Sequence, residues 1–86
     1  MDINNLIAIV KKKLINEIVI EDIKIEDKTF LHQKHQGYQE GKFHLKLIIN
    51  SKELKKLNRI ESNKKIYKIL NDEMNIYIHS IQILIS

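Results

Sequence analysis

The sequence predicts an α+β domain of order αββααβ, a three-stranded mixed sheet with its helices packed on one face. Three observations carry that prediction. Eighty-six residues are too few to divide their apolar side chains between two cores, so residues 1–86 form a single domain. The composition, 43% hydrophobic and 30% charged, supplies enough apolar surface for a core and argues against disorder. The period of the apolar residues changes along the chain, helical at the start and alternating in later stretches. Ile and Lys dominate the sequence, and Asn is frequent. That bias fits an AT-rich coding sequence, which lowers the weight of any single Lys or Asn.

The first element places Ile3, Leu6, Ile7, Val10 and Leu14 at helical spacing behind Asp2, an N-cap residue, and predicts an amphipathic helix over 3–15. Lys11, Lys12 and Lys13 fall toward its C-terminal end, where cations suit the helix dipole. In "EIVIEDIKIED" the residues Ile23 and Ile25 alternate with charged neighbours and predict a strand. The alternation slips between Ile20 and Ile23, so Ile18 to Ile20 read as a packed connector. Residues 28–41 are polar, contain Gly37 and Gly41, keep no period, and are expected to be a loop. A loop of this length in so small a domain is usually functional or disordered.

"KFHLKLIIN" follows, with Phe43, Leu45, Leu47 and Ile49 on one face of a strand. Ser51 can cap a short helix through about Leu57, and a turn near Asn58 leads to a second helix over roughly 62–73. Ile66, Ile69, Leu70 and Met74 are its expected core residues. "IYIHSIQILI" closes the chain as a β-branched strand with Tyr77, His79, Ile81, Ile83 and Ile85 on one face. A helical crossover from the strand at 43–50 to this last strand favours parallel pairing with a right-handed connection.

Several function classes are excluded or disfavoured. Without cysteine the chain builds no disulfide and no thiolate metal site of its own. The start, "MDINNLIAIV", lacks the basic and long apolar regions of a secretory signal, and no apolar run is long enough to span a bilayer. A cytoplasmic, soluble protein with no membrane partner is expected. The net charge of +4 suits a nucleic-acid or acidic-protein partner without requiring either. An enzyme is not expected, because there is no phosphate cradle, no HExxH and no nucleophile paired with a base. The neighbouring carboxylates Glu26 with Asp27, and Asp72 with Glu73, point in different directions on a strand or helix and make no dyad by spacing.

The histidines are the candidate chemistry. His32 and His35 lie in the loop with a spacing common to metal ligands and equally common by chance, and His79 is distant in sequence. If the last strand were central in the sheet, its end would bring His79 near the loop. Two or three imidazoles still leave a metal under-coordinated unless an acidic residue such as Glu40 or a second protein contributes. His44 falls opposite the apolar face of its strand and reads as a solvent-side residue. On spacing alone His79 reads as an ordinary strand histidine and His32 as an exposed loop residue.

The αββααβ order, the histidine-containing loop before "FHLKLIIN", and the lone histidine of "IHSIQI" after "IYKILNDEMN" together resemble the BolA family. The similarity runs from about residue 20 to residue 85, and is weaker through the first helix. It implies a class II KH-like αββααβ fold. It implies a partner, a monothiol glutaredoxin, and a shared 2Fe–2S cluster in iron–sulfur trafficking or iron sensing. The C-terminal family histidine falls on His79 and the loop ligand of histidine-type members on His35, with His32 an accessory at most. The remaining ligands would come from a glutaredoxin cysteine and glutathione, so no cofactor is expected in the isolated chain. The apo form is expected as a monomer or weak homodimer. For His79 the resemblance outweighs the reading from spacing, and it does so less strongly for His35. Neutral imidazole in place of thiolate lowers the negative charge on such a cluster and raises its potential. Where many members carry an Arg-His pair this chain has Ser62 and Asn63, and Phe30 stands where some relatives have another histidine.

The alternative, which the resemblance also implies, is a nucleic-acid-binding transcriptional regulator of stress response or morphology; in this chain Lys55, Lys56, Arg59, Lys64, Lys65 and Lys68 of the two-helix segment would contact DNA. Against it, "LNRIE" between the helices contains no Gly-x-x-Gly clamp. The lysine enrichment also tracks the coding bias, and a solvated basic face is the simpler reading. The same patch could equally dock an acidic protein.

Overall fold

The computed structural model describes residues 1–29 and 42–86. Helix α1 (Ile3–Glu17) starts at Asp2, whose carboxylate accepts the Asn5 backbone N–H at 2.8 Å. Leu6, Val10 and Leu14 recur at one-turn spacing and are fully buried. The helix runs two residues past the sequence expectation, so Lys11 to Lys13 lie inside it and its last turn carries no basic residue. Lys13 instead reaches Glu73. Ile18 ends the helix as a buried connector.

The sheet has the order β1–β2–β3, built from β1 (Asp22–Asp27), β2 (Phe43–Asn50) and β3 (Ile78–Ile85). Strands β1 and β2 pair antiparallel, with Ile23 opposite Ile49 and Ile25 opposite Leu47. Strands β2 and β3 pair parallel, as the crossover requires. The mixed sheet and the α+β class agree with the sequence. The central strand is β2, not the last strand; β3 is an edge. The apolar face of β2, Leu45, Leu47 and Ile49, packs with the buried face of α1 and with Leu54, Ile66, Leu70 and Ile78 in one core. The other face is polar and uncovered by the described helices.

Pairing between β2 and β3 slips once. Phe43 lies opposite Ile78 but His44 lies opposite Ser80, so β3 carries one extra residue there. Simple alternation puts Tyr77, His79, Ile81, Ile83 and Ile85 on a single face; the bulge corrects that. Ile78 takes the core position at 1% exposure, His79 turns to the polar face, and Ile81, Ile83 and Ile85 resume packing against the core.

Between β2 and β3 the chain forms α2 (Lys52–Lys55), α3 (Arg59–Ile69) and α4 (Asn71–Ile76). Ser51 caps α2 through Leu54 N, and Asn58 caps α3 through Glu61 N. The Asn58 amide also bonds the Glu61 carboxylate at 2.7 Å, closing a reciprocal cap. The helix expected over 62–73 therefore begins at Arg59. It pauses at Leu70 (φ −96°, ψ 18°), then resumes, so the segment holds three helices rather than two. Glu73 on α4 is buried and receives both of its ion-pair hydrogen bonds from Lys13 Nζ, at 2.8 and 2.9 Å. That pair ties α4 to α1. Among the described residues no helix is long and apolar enough to cross a membrane.

Candidate functional site

Parallel pairing brings the starts of β2 and β3 side by side. His44, second in β2, and His79, second in β3, meet on the polar face with ring centroids 4.9 Å apart and planes inclined by 30°. His79 is exposed, whereas His44 beneath it is only 6% exposed. The Nδ1 of His44 lies 2.6 Å from the Ser80 hydroxyl, which fixes the ring's orientation. The backbone of His44 is equally constrained: its N–H donates to Thr29 Oγ1 at 3.2 Å and its carbonyl accepts from Lys28 N at 2.7 Å. Thr29 in turn donates through both its N–H and its hydroxyl to Asp27 Oδ1. The end of β1 is thus latched to the start of β2 at the His44 backbone.

The surroundings are cationic. A shallow recess beside the pair is lined by Lys28, Lys46, Ser80 and Gln82. Along β1, Glu26 lies 3.5 Å from Lys24 and 3.7 Å from Lys28. Partial desolvation pushes the Glu26 carboxyl up, but Lys28, Lys24 and Lys46 outweigh it and hold the group below the usual carboxylate value. Anions are favoured at this face.

His79 is the one ligand candidate from the sequence that the structure positions. His35 and His32 fall within 30–41, outside the described residues. Among the described residues, no cluster of three or more His, Cys, Asp or Glu side chains could hold a metal ion. The residue that sequence reasoning passes over is His44. It does lie opposite the apolar face of β2, but it is buried rather than solvated, and the His79 ring stacks on it. The available signal is the parallel crossover, which aligns the first residues of the two strands.

The six basic candidates separate into two groups. Lys55 and Arg59 line a groove between the α2–α3 turn and the end of β3. Lys65 and Lys68 line another, between α3 and the C-terminal half of α1, shared with Lys13 and Asn16. At about 100° per residue, Arg59 is roughly 120–180° around the helix from Lys64, Lys65 and Lys68. Lys56 is exposed beside the first groove, and Lys65 is partly engaged by Glu53 at 3.3 Å.

A family model described as BolA-like protein matches residues 14–86. The chain belongs to the BolA family. A relative from Haemophilus influenzae named DNA-binding transcriptional regulator BolA is 29% identical over 73 residues, spanning 85% of this chain and 68% of the relative. Two solved structures share the fold. The BolA domain of SufE1 from Arabidopsis thaliana superposes with a TM-score of 0.78 at 22% identity, covering all of this chain and 93% of that one. BolA1 from Arabidopsis thaliana gives a TM-score of 0.75 at 23% identity, covering 92% and 87% of the two chains. At those identities the structures speak to fold alone. The BolA fold of this chain places the His44–His79 pair at the open end of its sheet.

Proposed function

We propose that this BolA-family chain is an accessory protein that contributes His79, with His35, to a 2Fe–2S cluster shared with a monothiol glutaredoxin, in iron–sulfur trafficking or iron sensing. The partner's cysteine and a bound thiol such as glutathione complete the ligand set. The observation that carries this reading is the exposed His79 imidazole standing on a buried, hydrogen-bonded His44. A ring so supported is held in place while its outer edge faces a partner. The donor set also suits sharing: the described residues offer two imidazoles and no thiolate, too few to close a metal site alone. Lys28 and Lys46 beside the recess favour approach of an anionic, thiolate-ligated group. The bound cluster supplies electron-transfer or iron-delivery chemistry; this chain's residues orient the imidazole and tune the charge around it. His44 acts as a positioning residue through its stack and its bond to Ser80.

The test is anaerobic reconstitution with a monothiol glutaredoxin, iron, sulfide and glutathione, followed by visible absorption and circular dichroism. A spectrum distinct from that of the glutaredoxin homodimer is expected, lost in His79→Ala and weakened in His35→Ala. Its stability should decline as pH falls and free imidazole protonates. A spectrum identical to that of the glutaredoxin homodimer, with or without this chain, refutes the reading.

A second reading, DNA binding in a regulatory role, is favoured by the name of the Haemophilus influenzae relative. The exposed cations of the α2–α3 turn, Lys55, Lys56 and Arg59, would carry it. A steep fall of duplex affinity with salt, made shallower by Arg59→Ala, is its signature.

A further inference from the structure

We propose that the outer edge of β3 accepts an added strand from a partner protein, an extended segment that presents both apolar and acidic residues on one of its faces. The edge is identified by its hydrogen bonds. Ser86 uses both its peptide groups on the neighbouring strand's side, donating to the Ile49 carbonyl at 2.8 Å and accepting from Ser51 N at 3.1 Å. Peptide groups along a strand point alternately to its two sides. Those of Ile81, Ile83 and Ile85 therefore point outward, and no backbone bond from another described segment reaches them.

Natural edge strands are blunted with charge, Pro, brevity or a covering element. The opposite edge of this sheet follows that rule: β1 is "DIKIED", short and mostly charged. Strand β3 does not. Its eight residues, "IHSIQILI", include no Asp, Glu, Lys, Arg or Pro, and its bulge sits at the far end from Ile83 and Ile85.

The chemistry of the groove beside that end of the edge defines what should occupy it. Its floor is apolar, from Leu54, Leu57 and Ile83, and its rim carries Lys55 and Arg59. Leu84 on the strand and Ile60 at the start of α3 are 42% and 68% exposed. An incoming strand would pair with the outward peptide groups and turn one of its two faces to the groove, where its apolar side chains seat on the floor and its acidic ones meet Lys55 and Arg59 at the rim. A second copy of this chain fits poorly, since each carries net charge +4 and pairing would crowd two basic rims. Single-stranded nucleic acid would need stacking surfaces, and neither Tyr67 nor Tyr77 lines this groove. The inference does not depend on the shared cluster and is tested without iron or glutaredoxin.

The probe is a blocked extended peptide whose every second residue is valine or glutamate in turn, with threonine between, so that one face carries both; it is titrated into the isotope-labelled chain and followed by amide NMR and hydrogen exchange. Binding should slow exchange of the Ile83 and Ile85 amides about tenfold or more, consistent with new interstrand bonds. Ile83→Pro removes an outward donor without removing a donor to β2, and because it also removes a floor side chain it is compared with Ile83→Ala, beyond which it should weaken affinity about tenfold, the loss of one well-made bond. Ile83→Val, which keeps the donor, should bind as wild type. Arg59→Glu reverses an exposed rim charge without risk to folding and should weaken binding comparably. Shifts confined to lysines with no protection of Ile83 and Ile85 overturn the proposal. So does protection already present in the free chain through self-association, or tight binding of an oligothymidylate in preference to the peptide.

Discussion

Ser51 joins three parts of the molecule, and its removal can be worked out group by group. The residue is fully buried. Its hydroxyl donates to the Val19 carbonyl at 2.7 Å and accepts the Leu54 N–H at 3.1 Å. Ser51→Ala keeps the backbone and deletes both bonds. The Leu54 N–H belongs to a residue 1% exposed, so it loses its partner where water does not easily replace it. That loss combines an N-cap with a buried donor and costs about 1–2 kcal/mol. The Val19 residue is 66% exposed, so its carbonyl can be hydrated and adds only about 0.5 kcal/mol. The expected total is about 2 kcal/mol, which in a domain of this size lowers Tm by roughly 8–16 °C. Urea unfolding followed by far-ultraviolet circular dichroism should show a lower midpoint at unchanged slope. Asn58→Ala is the comparison. It removes an exposed cap and should cost about 1 kcal/mol. A Ser51→Ala loss equal to or smaller than that of Asn58→Ala would show that burial of the cap contributes nothing, and the reasoning would fail.

Two pH-dependent effects follow from the ion pairs. The hydrogen bonds from Lys13 to Glu73, opposed by desolvation and helped by the charges of Glu73 and Asp72, raise the Lys13 ammonium above its ordinary 10.5. Its contribution is therefore complete below that value and fades as pH rises through the folded one. Wild type should exceed Lys13→Met in unfolding free energy at neutral pH, with the gap closing in alkaline titration; a gap that persists there would show that packing of the Lys13 stem, not its charge, is responsible. Glu26 has the reverse sign. Its carboxyl is held below 4.5, so the contribution is present above that pH and is lost as pH falls through the folded value. Wild type and Glu26→Gln should converge in acid, and at neutral pH their difference should shrink with added salt.

Much of the fold is legible in the sequence because its punctuation is chemical. Asp2 and Ser51 are side-chain caps where the residue types suggest caps, and the alternation of Leu45, Leu47 and Ile49 marks β2 to the residue. Asn58 is legible as a turn, but its role as the start of α3 depends on the reciprocal bond with Glu61. The pause at Leu70 is hidden. Leu70 is a good helix former, fully buried, with neither Gly nor Pro beside it. At the candidate site the limit is different in kind. Periodicity tells which side of a strand a residue takes; it says nothing of what lies over that side. It assigns His44 to the polar face correctly and misses its burial; the ring stacked on it belongs to a residue 35 positions along the chain. It places His79 itself in phase with the isoleucines, because an inserted strand residue leaves no mark on composition.

That extra residue has a consequence for how the chain can vary. Because β3 steps out of phase between Ile78 and Ser80, the position of His79 belongs to neither of the two alternating sets that flank it. A replacement there changes the chemistry offered on the polar face and leaves the isoleucine packing untouched. Shortening the strand by that one residue would likewise leave Ile78 and Ile81 on the core side, in an unbroken ladder, and would delete the imidazole altogether. A relative that has given up the presented histidine can thus be recognised by strand length even where its apolar sequence is unchanged.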